Sequence, residues 1–251
     1  PVWPAWNGVF IWLIGKVFGE QAAAKLENSL TGRVCPNFYE YQETSPFIML
    51  VHHCHSFAMY DPFRFLQRTF FPEGFPAHPH RGFITITYIL HGGFTHRDSE
   101  GMKQSYGAEE RHHGKHTQWL FTGKGMLHEE MFDIEGVVSR QELYQLWLNI
   151  PRDLKFDAPR SMLLGGEAET PVVEDELSRT LILAGSYKDK TASAPLLSEL
   201  ALFHVTLGPR ATWSYDIPVS FGTAVLYVRK GSLAIGDTDI PTHYTAYFAN
   251  D

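Results

Sequence analysis

The run Phe83–Leu90, FITITYIL, sets the strongest limit on the fold. Seven of its eight residues are β-branched or aromatic, a composition that crowds a helical turn and packs well on a pleated sheet. Its neighbours share that texture. From about Phe38 to Ile150 the pieces FIMLVHH, HTQWLF and LYQLWLNI are short, apolar and separated by glycine, proline and polar clusters. Strands of this length and spacing predict an all-β sandwich or barrel.

The segment 151–179 is rich in turn formers and charge and reads as a connection. Strand-like pieces then resume as TLILAGSY, LALFHVTLGP, TAVLYVRKGSLAIG and HYTAYFAN, which predicts a second β domain. A strand, a glycine turn and a strand occur in both halves, YILHGGFTH and LYVRKGSLAIG, a short likeness that fits an internal duplication. The chain stops at Asp251 just after a strand-like run, so the second barrel is expected to lack its last strands.

The N-terminal stretch differs. Residues 9–14 and 17–18 form two apolar patches broken by Lys16, too short for a membrane span of about 20 apolar residues. Two readings stay open: a helix docked on the core by its aromatic side chains, or an anchor to a membrane surface or a larger assembly through residues 1–30. GEQAAAKLENSL at 19–30 is predicted helical, with Gly32 as its stop.

Twenty-one basic against 28 acidic residues give a formal charge of −7, with no basic block to follow a phosphate backbone, so direct nucleic-acid binding is not expected. Two cysteines, Cys35 and Cys54, exclude a disulfide framework and a thiolate-rich zinc site. G-x-S-x-G, a P-loop and a dinucleotide fingerprint are all absent from the sequence.

The chemistry concentrates in histidines. His78 and His80 flank Pro79, which favours extended backbone, so both imidazoles project from one face. In TGKGMLHEEM a glycine turn precedes His128 and Glu130 at the same spacing, with Glu129 on the opposite face. If the two segments are neighbours, three imidazoles and a carboxylate converge, a donor set suited to Fe, Mn, Ni or Zn, and to ferrous iron where open positions remain. The other histidines read as non-ligands. His53 and His55 line the mouth of a cavity, RHHGKH at 111–116 is a solvated loop, and His204 and His243 are structural. No second metal centre is expected.

The motifs DPFRFL, GFPAHPHRGFITITYIL, HGGFTHRDS, QWLFTGKGMLHEEM and LYQLWLNIP, in this order, resemble the pirin family, whose signature runs HPHRGFET, QW-x-x-AG-x-G-x-x-H-x-E and QLWVNL. The likeness covers about residues 45–160. It implies a bicupin, two antiparallel jelly-roll barrels packed face to face, with iron (Fe2+ or Fe3+) in the first barrel on His78, His80, His128 and Glu130. Departures surround the ligands: Ile84 replaces the glutamate of FET, Thr122-Gly123 replaces AG, and GAEERHHGKH replaces a shorter turn. The implied organisation is a helical extension at 1–35, a metal-bearing cupin barrel at 36–155, a linker at 156–171 and a metal-free barrel at 172–251.

Two functions follow from the resemblance and a third from the N-terminal residues 1–30. The first is a quercetinase-type dioxygenase acting on a flavonol-like small molecule, with Glu130 as both ligand and proton acceptor. The second is a redox-sensing partner of other proteins, and the third a subunit of a membrane-associated complex. Cytoplasm, nucleus and an organelle membrane are all compatible compartments.

Overall fold

The computed structural model describes residues 3–4, 8–19, 21–23, 32–39, 44–61, 64–65, 72–195 and 199–248. In chain order the first elements are β1 (Trp3–Pro4), α1 (Gly8–Phe18), β2 (Gly32–Phe38), β3 (Phe47–Ala58), β4 (Gly74–His80) and β5 (Phe83–His91). There follow β6 (Gly93–Asp98), β7 (Lys103–Gly107), β8 (Lys115–Phe121), β9 (Met126–Phe132), β10 (Val138–Asn149) and β11 (Arg160–Gly165). The second half carries β12 (Val172–Glu174), β13 (Ser178–Ala184), β14 (Ser186–Tyr187), β15 (Lys190–Thr191), β16 (Leu202–Leu207), β17 (Ala224–Tyr227), β18 (Ser232–Ile235), β19 (Thr238–Pro241) and β20 (Thr245–Phe248).

The first half is built from a seven-stranded sheet, in the order β1-β2-β3-β10-β5-β8-β11, and a four-stranded sheet, β4-β9-β6-β7, with antiparallel pairing. Alternation along the central strands of the larger sheet decides what each face does. Ile84, Ile86, Trp119, Phe121, Leu146 and Leu148 form one buried cluster with Ala184 and with Ala194, Leu200 and Leu202 of the second half. Tyr88 packs likewise on Leu181 and Leu183. The opposite face turns Ile89 and Leu143 toward Phe94 and Tyr106 of the smaller sheet. The two halves therefore share one wall.

Polar side chains also cross this seam. Glu142 on β10 accepts hydrogen bonds from His52 Nε2 (3.1 Å) and Arg229 Nε (2.6 Å) and pairs with Arg140. The other nitrogen of His52, Nδ1, lies 3.0 Å from the Tyr227 hydroxyl, which lies 2.9 Å from His243 Nδ1. Burial alone would push the Glu142 carboxyl up, but the hydrogen bonds from His52 and Arg229 hold it well below the usual carboxylate range.

Several expectations change. The connecting segment 156–171 is more than a linker, because β11 lies within it and extends the first sheet by pairing with β8. Exposure alternates along Arg160–Leu163, with Ser161 and Leu163 turned inward, before Leu164 and Gly165 are buried. The histidine-rich 111–116 is not a solvated loop throughout, because His112 sits buried in a 3-10 turn at Glu110–His112. Its ring fills the space over Gly93 and Gly107, which pair directly across β6 and β7. A Cβ on Gly107 would lie 2.3 Å from the Gly92 carbonyl oxygen and 2.6 Å from His112 Cδ2. Gly107→Ala is expected to lower stability by about 1–3 kcal/mol, read as a fall in the unfolding midpoint; an unchanged midpoint would show that the contact relaxes freely.

At the N-terminus, Leu13, Val17 and Phe18 of α1 are exposed, so these side chains do not dock the helix on the core. No helix among the described residues is long and apolar enough to cross a membrane. The helix expected over 19–30 lies outside the described residues except for Gly19, which is not helical, and a helical piece at 21–23.

Candidate metal centre

β4 and β9 pair antiparallel with His78 directly opposite His128, after a bulge between Phe75 and His78. β4 is an edge strand, where Pro79 costs no ladder hydrogen bond to a further strand. Period two then sends His78 and His80 to one side, where they meet His128. One ligand-type nitrogen from each of the three lies within 4.8 Å of the others.

The protonation pattern follows from the partners. His78 Nδ1 donates to the Pro76 carbonyl oxygen at 2.8 Å, which leaves Nε2 facing His128 Nε2 at 3.1 Å. His80 Nε2 and His128 Nδ1 are buried with no hydrogen-bond partner. Burial, reinforced by the neighbouring imidazoles, lowers His80 to about 4 and His128 to about 2. Both rings are therefore neutral near pH 7, the form in which imidazole binds a metal.

Glu130 stands two residues beyond His128 and is fully buried. Its Oε1 accepts from the Tyr106 hydroxyl (2.8 Å) and from Thr87 Oγ1 (3.4 Å), and its Oε2 from Gln145 Nε2 (3.1 Å). Gln145 is oriented in turn by Trp147 Nε1, which donates to Gln145 Oε1 at 3.1 Å. Burial raises the Glu130 carboxyl and also the Tyr106 hydroxyl. Trp147 and Phe83 flank His80, with ring centroids 5.2 Å from it in each case.

The glycine turn before β9 has a steric cause. At Gly123, where φ is +42°, a Cβ would meet the Asp157 carbonyl oxygen at 2.1 Å. The adjacent Thr122, where the family signature has alanine, donates to the Phe83 carbonyl oxygen at 2.7 Å and accepts from the Phe83 amide at 3.2 Å. This ties the turn to the start of β5, beside His80.

The structure thus brings together His78, His80 and His128 and places Glu130 beside His128, where Glu130, His128 and His96 form a second group with ligand atoms within 4.8 Å. His96 was not among the residues singled out from sequence, although His96 and Asp98 have the same period-two spacing. His53 and His55 lie apart from this group, against Phe75, Phe57 and Phe132. Three converging imidazoles, two of them (His80 and His128) neutral with an unpartnered buried nitrogen, beside a carboxylate fit a divalent first-row metal ion.

The family model described as Pirin matches residues 29–148. A Vibrio cholerae protein described as "Putative quercetin 2,3-dioxygenase" is 30% identical over 218 residues, 84% of this chain and 68% of that protein. The chain belongs to the pirin family. A pirin-like protein of Solanum lycopersicum is 33% identical over 203 residues, 81% of this chain and 61% of that protein. The pirin chain described here thus spans about three fifths of that relative's length. Among solved structures, a quercetin 2,3-dioxygenase of Acinetobacter baumannii superposes with a TM-score of 0.70 at 24% identity, covering 86% of this chain and 72% of that one. The fold is accordingly the all-β bicupin, two β-barrels face to face, with a small N-terminal helical piece.

Proposed function

We propose that this pirin is an oxygen-dependent oxidoreductase of quercetinase type, with Fe2+ held by His78, His80, His128 and Glu130 and a flavonol-like substrate. The observation that carries the reading is the convergence of His78 with the neutral imidazoles of His80 and His128, each with a buried unpartnered nitrogen, beside a buried carboxylate of raised pKa. The description of the Vibrio cholerae relative supports the choice of reaction. In this reading residues 36–155 form the metal-bearing unit, 156–171 joins the units, and 172–251 backs its wall.

Iron at this position would supply a Lewis acid and a redox centre. The chain supplies the rest. Glu130 accepts the hydroxyl proton of the flavonol, and its raised pKa brings it closer to the range of an effective base near neutral pH. Tyr106, Thr87 and Gln145 hold that carboxylate in one orientation, and each oxygen keeps acceptor capacity beyond the bonds described. The rings of Trp147 and Phe83, tilted 37° to each other with centroids 4.8 Å apart, offer apolar surface next to His80 for an aromatic substrate. The packed wall behind them keeps water from the reacting groups.

Anaerobic loading with Fe2+ followed by oxygen-uptake measurements with quercetin tests the reading. The parent is expected to consume oxygen only with substrate present, Glu130→Gln about 100-fold more slowly or worse, and His128→Ala not measurably. Equal uptake in all three would remove catalysis from this site.

A further inference from the structure

His96 lies on β6 directly opposite Glu130 of β9 and is completely buried. Its Nε2 lies 2.9 Å from Asp98 Oδ2, and since a carboxylate only accepts, the ring proton sits on Nε2. Asp98 is itself fixed, because its Oδ1 accepts from the backbone amides of Glu100 and Met102, each at 3.0 Å. This leaves the lone pair on Nδ1, which is buried and has no hydrogen-bond partner. A buried, unpartnered imidazole nitrogen is costly unless something takes it up. His96, His128 and Glu130 offer three ligand atoms within 4.8 Å of one another, a group that shares His128 with the His78, His80 and His128 group. A histidine held by a carboxylate on one nitrogen and open on the other is the arrangement that orients metal-ligating imidazoles elsewhere.

We propose that His96, oriented by Asp98, is an additional metal donor of this centre, taking the ion together with His128 and Glu130. The inference rests on the reading of the site as a metal centre. It adds a fourth imidazole to the three expected from sequence, and a positioning role for Asp98. His128, common to both groups, becomes the pivot of the site.

The test uses Co2+ as probe for affinity and visible absorption, and Cu2+ for the nitrogen hyperfine pattern in electron paramagnetic resonance, on the full chain. His96→Ala is expected to weaken Co2+ binding at least tenfold, to change the visible spectrum and to remove one nitrogen from the Cu2+ pattern. Asp98→Asn keeps volume and the two amide contacts, but its side-chain amide would donate to Nε2 and move the ring proton to Nδ1, so a smaller loss with the same spectral change is expected. Unchanged affinity and spectra in His96→Ala overturn the proposal. If that variant does not fold, unchanged affinity and spectra in Asp98→Asn overturn it. Failure of the parent to bind Co2+, or binding indifferent to His128→Ala, would instead overturn the metal-centre reading on which the proposal stands.

Discussion

His128→Ala is expected to abolish tight metal binding, with a loss of affinity of at least about 100-fold, beyond the 10–100-fold typical of losing an outer partner of a ligand. The reason is position. His128 belongs to both groups of converging donors, so its removal disables His78 and His80 on one side and His96 and Glu130 on the other. His53→Ala is the matched control, since that half-buried imidazole packs on His55 and Phe75 away from the cluster. Equilibrium dialysis with Fe2+ under anaerobic conditions should show metal retained by the parent and by His53→Ala, and lost from His128→Ala. Retention by all three would mean that the metal is held elsewhere.

Glu142→Ala is expected to cost about 3 kcal/mol of stability, at the lower end for breaking a buried ion pair because Arg140 and Arg229 keep partial access to water. The carboxylate is buried where the larger sheet meets the second half, and its loss leaves His52 and Arg229 without their acceptor. The pH dependence has a definite sign. The folded carboxyl lies below its unfolded value of about 4.3, so its contribution is complete above that pH and declines as pH falls below it. Denaturation midpoints of the parent and Glu142→Gln should therefore differ clearly at pH 6 and converge only below pH 4, as the pH falls toward the much lower folded value. A gap that stays constant as the pH falls well below 4 would mean that the charge on Glu142 does not stabilise the seam.

The sequence made the strands and part of the site visible for one physical reason: both obey period two. FITITYIL as β5, and the pairs His78 with His80 and His128 with Glu130, need only local backbone geometry to be read. His96 obeys the same rule with Asp98, but an H-x-D pair is common enough to be passed over until Glu130 is seen opposite it. Tyr106 and Gln145 are ordinary strand residues whose role exists only because three strands bring them to one carboxylate. The burial of His112 is hidden in the sequence because its neighbours are polar and its ring is covered only once Gly93 and Gly107 pair across β6 and β7. The role of Glu142 at the seam has little local signal, since beside the nearby Arg140 its partners His52 and Arg229 are 90 and 87 residues away along the chain.

Ile84 stands where the family signature carries a glutamate, and it is buried in the apolar cluster shared with the second half. Along β5, β8 and β10 the side chains that reach Glu130 and Tyr106, such as Thr87, Gln118 and Gln145, alternate with those that hold the halves together, such as Ile86, Trp119 and Leu146. In the proposed function, substrate contacts and cohesion between the halves thus fall on opposite parities of the same strands. A chain built this way can be retuned for a new ligand at one set of positions while the alternate set keeps the two halves joined.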